Sequence, residues 1–374
     1  MNAPKRTLLH VFSTFAVGGP QMRFAQLANH FGDRYRHIIV AMDKATEAFA
    51  KLDSSLDAKL LTVPIQRGKL WANAKTFRKV LRDLKPDLLV TSNWGTIEWA
   101  VANLDGRVSH LHMEDGFGPE EANGQIPRRV WMRRLVLRHS TVLLPSRRLL
   151  AIARDVWRLP ARCLIHVPNG VDRDRFSALR DPELGLELGI DNNRPVIGTV
   201  AGLRAEKNIH RLIDAFATVI RQRPAQLVIV GDGPERASLV SHAQALGIAN
   251  HIAFTGAFAK PERILPFFDV FALSSDTEQM PLSVLEAMAA GLPLAATEVG
   301  DLRYMLAEEN RPYLVSTEAA PLADAILALL ADSPAASAAG KANAQRIAAL
   351  FDQNLMFAAY QDLFDGVKLR ILSH

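Results

Sequence analysis

The chain has 374 residues, 49% of them hydrophobic and 22% charged, with a formal net charge of +5 and a single cysteine, Cys163. At roughly 150 residues per domain this length calls for two domains, and the composition excludes a disordered chain. Glycine and proline are near average, which excludes collagen-like and low-complexity classes. One cysteine excludes a disulfide scaffold and a cysteine-rich zinc site, and it fits a reducing compartment. Residues 1–10 do not read as a secretory signal, and no run of about 18 apolar residues occurs. The expectation is a cytoplasmic protein, soluble or peripheral on the inner face of a membrane.

The net charge conceals an asymmetry. Residues 1–170 hold 26 Lys and Arg against 14 Asp and Glu, whereas the remainder holds 18 against 25. Such a split predicts two domains with different partners, the basic one either meeting nucleic acid, acidic lipid or a phosphorylated substrate or simply presenting solvated faces.

In chain order, short apolar runs predict strands at 8–13, 37–42, 59–63, 88–92, 108–112 and 141–146. A second set follows at 195–200, 226–230, 251–254, 270–274 and 293–296. Several are apolar nearly throughout, as strands buried on both faces are. Helical patterns separate them, so the fold class is α/β, with parallel sheets covered by helices. The alternation occurs twice and breaks near Pro168-Asn169-Gly170-Val171-Asp172, giving domains 1–170 and 171–350. A helical stretch, 351–374, either continuous or kinked near Asp365-Gly366, completes the first domain. Ligands of such sheets sit beyond the carboxyl ends of the strands, so polar residues there are the candidates.

Gly18 and Gly19 follow the first strand and open a helix, whose free N–H groups suit an anion. Neither a dinucleotide fingerprint nor a Walker A sequence is present. After 108–112 come Glu114 and Asp115, then Gly116; His110 and His112 share a strand face just before them. Carboxylates and a histidine at a strand end suit acid/base or hydroxyl-binding work. No third ligand stands at a metal-binding spacing. Residues 128–139 form a basic cluster containing Arg128, Arg129, Arg133 and Arg134 with Trp131 and Leu135. A basic helix with Trp and Leu suits an anionic membrane interface, or is a core helix with an arginine-rich outer face. No nucleic-acid-binding signature accompanies the charge.

After 195–200 the sequence reads Gly202-Leu203-Arg204-Ala205-Glu206-Lys207-Asn208. Arg204 and Lys207, three apart before a helix, can flank a phosphate, although cations there oppose the helix dipole. After 270–274 comes the strongest pattern, Glu278 through Gly291, with Pro281 at the expected first helical position and Gly291 at its end. Glu286 falls inside this apolar helix, where a carboxylate needs partners such as vicinal hydroxyls.

Two cations after one strand and two glutamates eight residues apart after a later one resemble the retaining GT-B glycosyltransferases of family 4. Gly231-Asp232-Gly233-Pro234-Glu235 and Asn169-Gly170-Val171-Asp172 with Phe176 extend the resemblance over nearly the whole chain. It implies two Rossmann-like domains facing a central cleft. It implies that Arg204 and Lys207 bind the donor diphosphate, that Glu286 holds the ribose hydroxyls, and that Glu278 faces the donor sugar. Met280, Pro281 and Leu282 would lie near the sugar or phosphate, Phe258 near the base, and Gly18 and Gly19 near the phosphate. His112 best matches the histidine beside the transferred sugar, with His110 as the other candidate, and Glu114, Asp115 and the basic helix would meet the acceptor or membrane. No metal or other cofactor is implied, because fixed cations stabilise the leaving group. Asp172-Arg173-Asp174 has the letters of a metal-binding D-x-D but sits in the connecting segment. Gln279-Met280-Pro281 departs from the family's glycine-rich pattern and bears on donor choice. The implied reaction moves a sugar from a nucleotide donor, UDP-sugar favoured over GDP-sugar, to a lipid-linked or polysaccharide acceptor. The alternatives are a GT-B nucleotide-sugar epimerase and a catalytically silent sugar-binding module.

Overall fold

The computed structural model describes residues 5–121, 124–191 and 193–367. Residues 1–4 of the N-terminal segment and 368–374 of the expected last helix lie outside them. The chain divides into two compact units, 1–169 with 354–374, and 170–353.

In the first unit β1 (Arg6–Phe12), β2 (Tyr35–Ala41), β3 (Ala58–Leu60), β4 (Leu88–Ser92), β5 (Ser109–Met113), β6 (Thr141–Leu144) and β7 (Leu164–His166) form one sheet. Its order is β3-β2-β1-β4-β5-β6-β7, and every pairing is parallel. β4 is buried along its whole length, as a central strand covered on both faces must be. On one face the helices Leu70–Leu84, Ile97–Ala102, Pro127–Val136 and Arg147–Asp155 enclose a core that includes Phe77, Trp99, Leu149 and Trp157. Phe77 and Trp99 stack with centroids 4.3 Å apart; truncating either would cost about 3–5 kcal/mol. Gly19–Phe31 and Gln353–Asp365 cover the other face, where Met356, Phe357 and Tyr360 pack with Leu8 and Leu27. The last helix ends at Gly366, whose φ of +80° suits glycine.

In the second unit β8 (Val196–Val200), β9 (Gln226–Val230), β10 (Ile252–Gly256), β11 (Val270–Leu273), β12 (Leu294–Thr297) and β13 (Leu314–Val315) follow the order β10-β9-β8-β11-β12-β13. These pairings are also parallel. Ile209–Gln222 and Ala319–Ala331 pack on one face; Leu282–Ala289 packs on the other. In both sheets the strand order reverses once, between β1 and β4 and between β8 and β11, and loops after those strands border a ligand crevice in this architecture.

Several expected boundaries move. β7 and β13 fall where no strand was expected. Ser146 lies outside β6: its hydroxyl caps the helix Arg147–Asp155 by accepting from the Leu149 N–H. Pro281 stands one residue before the helix Leu282–Ala289 rather than within it. Gly170 is required by packing, because a Cβ there would lie 2.6 Å from the Gln353 Cα. Asp172 accepts from the Asp174 and Arg175 N–H groups, so the first carboxylate of the D-x-D caps a turn.

Candidate active site

In the second unit the loops after β8 and β9 interlock. Leu203 N–H donates to the Asp232 carbonyl, and Glu235 N–H donates to the Leu203 carbonyl. A Cβ at Gly231 would stand 1.8 Å from the Ala201 carbonyl oxygen, and one at Gly233 2.4 Å from that of Leu203. The two glycines of Gly231-Asp232-Gly233 therefore allow this backbone approach. The loop carrying Arg204 and Lys207 ends at Asn208, in the left-handed region with φ 42°. Asn208 caps the helix Ile209–Gln222 through its side chain, one of the few residues that tolerate this conformation.

Lys207 Nζ meets Glu278 Oε1 at 2.5 Å, and the Ser275 hydroxyl donates to the same oxygen at 2.8 Å. The β8 and β11 loops are further tied by Asp276 N–H to the Glu206 carbonyl, by Ser274 to the Lys207 carbonyl, and by Arg211, which donates to the Ser274 carbonyl and to Asp276. The loop after β12 closes behind Glu278: Asp301 N–H donates to the Gln279 carbonyl. Gly300, with φ 58°, leaves a place where a Cβ would stand 2.4 Å from the Glu278 carbonyl oxygen.

Arg204 is 60% exposed and pairs with Glu206 at 2.8 Å; it lines a shallow hollow with Asn208, His210 and Glu235. Met280 is buried in the core, with Phe258 and Leu282 packed against it. The Glu286 side chain, inside the helix Leu282–Ala289, makes no hydrogen bond or ion pair with the described residues. Burial pushes its carboxyl up to about 7; Arg175 pulls it down and Glu262 pushes it further up. Arg175 and Glu262 form their own ion pair at 2.7 Å.

In the first unit Gly18 precedes the helix Gly19–Phe31. The Gln21 side chain donates to the Thr14 carbonyl and so braces the loop. Asp115 is gripped by Arg23 at 2.6 Å, and Arg23 also donates to Asn169. The Asp115 N–H is fixed by Asn93.

The neighbouring residues differ from expectation. His112 and Glu114 are wholly buried, so neither presents its side chain to a sugar or an acceptor. Arg133 is also wholly buried, where it pairs with Glu114 at 3.3 Å and Glu121 at 3.2 Å. Three rings enclose its guanidinium, Trp94, Phe117 and Trp157, at 5.0, 5.3 and 4.9 Å. Arg129 pairs with Glu120 and Glu121, and Arg134 donates to the Val156 and Trp157 carbonyls. What the helix leaves exposed is Pro127, Arg128, Trp131 and Leu135, and Arg138 is exposed in the turn beyond it. Among the described residues no group of three or more His, Cys, Asp or Glu is placed to share a metal ion, and no single helix is long and apolar enough to cross a membrane.

Ser275, Gly300, Arg23 and Asn93 escaped the sequence reading. For Gly300 a signal existed, since it follows β12 in Glu298-Val299-Gly300-Asp301, another strand end.

Both units of the chain match family profiles. The profile described as Glycosyltransferase Family 4 matches residues 17–175, and that described as Glycosyl transferases group 1 matches 183–346. The chain belongs to this group of GT-B glycosyltransferases. It is similar to N-acetyl-alpha-D-glucosaminyl L-malate synthase of Bacillus anthracis, 25% identical over 56% of this chain and 55% of that one. It is also similar to a GDP-mannose-dependent alpha-(1-6)-phosphatidylinositol monomannoside mannosyltransferase of Mycobacterium tuberculosis, 32% identical over 55% and 57%. The chain thus spans little more than half the length of these two relatives. The crystal structure of Anabaena HepE with UDP and glucose shares the fold, with a TM-score of 0.82 at 20% identity over 97% and 100% of the two chains.

Proposed function

We propose that the protein is a retaining, metal-independent glycosyltransferase that moves a sugar from a nucleoside diphosphate donor to a lipid-linked or polysaccharide acceptor. The observation that carries this reading is the Lys207–Glu278 pair held at the ends of β8 and β11. A cation and a carboxylate fixed side by side can divide the donor between them. Lys207 and Arg204 would neutralise charge growing on the leaving diphosphate. Glu278 would accept from sugar hydroxyls, and Glu286 from the ribose pair. Gly18 and Gly19 open a helix in the first unit whose free N–H groups would suit a donor phosphate.

UDP-sugar is the favoured donor. The relatives support a nucleotide-sugar in general: the HepE crystal holds UDP and glucose, and the mycobacterial relative is GDP-mannose-dependent. That relative acts on a phosphatidylinositol monomannoside, and another is named alpha-monoglucosyldiacylglycerol synthase. These names, with the basic first half, support a lipid-linked acceptor and a place on the inner membrane face.

A donor screen tests the reading. The protein is incubated with UDP-, GDP- and ADP-sugars in EDTA, with and without membrane extract, and nucleoside diphosphate release is followed. Acceptor-dependent release supports transfer with metal removed. Interconversion of free donors would instead make it an epimerase, and tight binding without turnover a silent module.

A further inference from the structure

Beneath the loop that leaves β5 runs a line of buried and half-buried polar groups. The Ser140 hydroxyl lies 2.7 Å from His110 Nδ1, His110 Nε2 lies 2.8 Å from the Thr91 hydroxyl, and that hydroxyl lies 2.8 Å from His112 Nδ1. His112 Nε2 then faces Glu114 Oε2 at 3.6 Å, and Arg133 Nε donates to the same oxygen. β4 and β5 create the line, because Thr91 pairs with His112 in register and alternation puts His110 and His112 on one face.

A chain of hydroxyls and neutral imidazoles can run in two senses. In one, each donor points away from Glu114, and His112 Nε2 turns a lone pair toward a carboxylate. In the other, each donor points toward Glu114, and His112 Nε2 turns an N–H toward it. His110 is neutral here, since burial holds it down to about 3, so it has one proton to place. The Glu114 carboxylate, fixed by a guanidinium that three aromatic rings surround, selects the second sense. At 3.6 Å the last contact is electrostatic, longer than a hydrogen bond.

We propose that His112 is a positioning residue. Its Nε2–H, aimed at Glu114 with the line Ser140–His110–Thr91 behind it, orients Glu114 and with it the start of the loop that leaves β5, where Asp115 pairs with Arg23 and Phe117 packs on Arg133. This rests on the glycosyltransferase reading only for its functional consequence. It departs from the role that the resemblance implied, because an enclosed imidazole with no face to solvent does not touch a sugar. Glu114 and Arg133 become parts of the same support.

The test is two-bond proton–nitrogen correlation spectroscopy on the full chain labelled with 15N-histidine, assigned with His110→Asn and His112→Gln variants. His110 and His112 are both expected as Nε2–H tautomers, and His112 keeps its tautomer when UDP-glucose or GDP-mannose is added. Thr91→Val, which keeps the shape but removes the hydroxyl, is expected to shift the Nδ1 resonance of His112, and Thr91→Ser to restore it. An Nδ1–H or doubly protonated His112 in the wild type overturns the proposal. So does a tautomer change on adding the sugar nucleotide, or a Thr91→Val spectrum that superimposes on the wild type. With the donor identified by the screen, Thr91→Val is expected to lower kcat about tenfold while donor KM stays within about twofold, since it disturbs a group acting through others. Unchanged kcat overturns the functional half. If no sugar nucleotide is turned over, the transferase reading fails while the tautomer result stands by itself.

Discussion

Lys207 and Glu278 are separated by 71 residues in the chain and meet at 2.5 Å, with the Ser275 hydroxyl completing the contact. Both side chains are largely enclosed, at 16% and 9% exposure. Removing the lysine therefore has two consequences. The diphosphate loses a fixed positive charge, and Glu278 is left with only Ser275. Lys207→Ala is expected to lower kcat/KM well over a hundredfold, because one transition-state charge contact is worth about 3 kcal/mol. Steady-state kinetics with the donor from the screen measures it, and near-normal turnover would contradict the assignment.

Glu286 makes a prediction about pH. Its carboxyl, pushed up to about 7 by burial, binds a proton in the folded chain that it would release in the unfolded one. Between about 4.5 and 7 the folded state holds more protons, so this group's contribution to stability falls as pH rises. Glu286→Gln is thus expected to raise Tm at pH 8 and to leave it nearly unchanged at pH 4.5, as differential scanning fluorimetry would read. If the ionised form binds the ribose hydroxyls, donor affinity in the wild type weakens as pH drops below about 7, and the variant loses that dependence. A wild-type Kd flat from pH 5.5 to 8 would remove Glu286 from donor recognition.

Long central strands were legible because they are apolar from end to end, as in β4 and β9. β7 and β13 were not, because three and two residues are too few to show a period. The placement of Arg204, Lys207 and Glu278 at strand ends was legible because a parallel sheet gathers its loops there. Arg133 was misread for a physical reason. In Arg128-Arg129-Val130-Trp131-Met132-Arg133-Arg134 it looks like any solvated arginine, and its partners Glu114 and Glu121 lie 19 and 12 residues back. Only the fold brings them around it. His112 is enclosed although it matches a sugar-facing histidine by position, since a strand-end residue faces the crevice or the core according to pleat.

Gly300 holds the floor of the Glu278 loop. Its φ of 58° and the 2.4 Å that a Cβ would leave to the Glu278 carbonyl oxygen both oppose a side chain. Gly300→Ala is expected to displace Glu278 from Lys207 and to weaken donor binding more than tenfold, with a stability loss of about 1–3 kcal/mol. Isothermal titration with UDP-sugar and urea unfolding separate the two effects. Unaltered binding together with lost stability would make the contact purely structural.

The basic helix Pro127–Val136 offers two kinds of arginine, and they predict different failures. Trp131 and Leu135 are 65% and 50% exposed; the exposed Arg128 precedes them on the helix, and the exposed Arg138 lies in the turn that follows it. An aromatic and an aliphatic chain between cations can enter the headgroup region of an anionic bilayer. Trp131→Ser with Leu135→Ser is therefore expected to abolish most flotation with vesicles rich in acidic phospholipid, while changing urea stability by less than about 0.5 kcal/mol. Arg133→Met should do the opposite. It leaves Glu114 and Glu121 without their buried cation, at a cost of about 3–5 kcal/mol, but takes nothing from the exposed face. Among variant chains that remain folded, flotation should follow Trp131 and Leu135 rather than Arg133. Equal flotation of the double variant and the wild type would exclude this helix as the membrane contact, and full stability of Arg133→Met would mean that the enclosed ion pairs contribute no net folding energy.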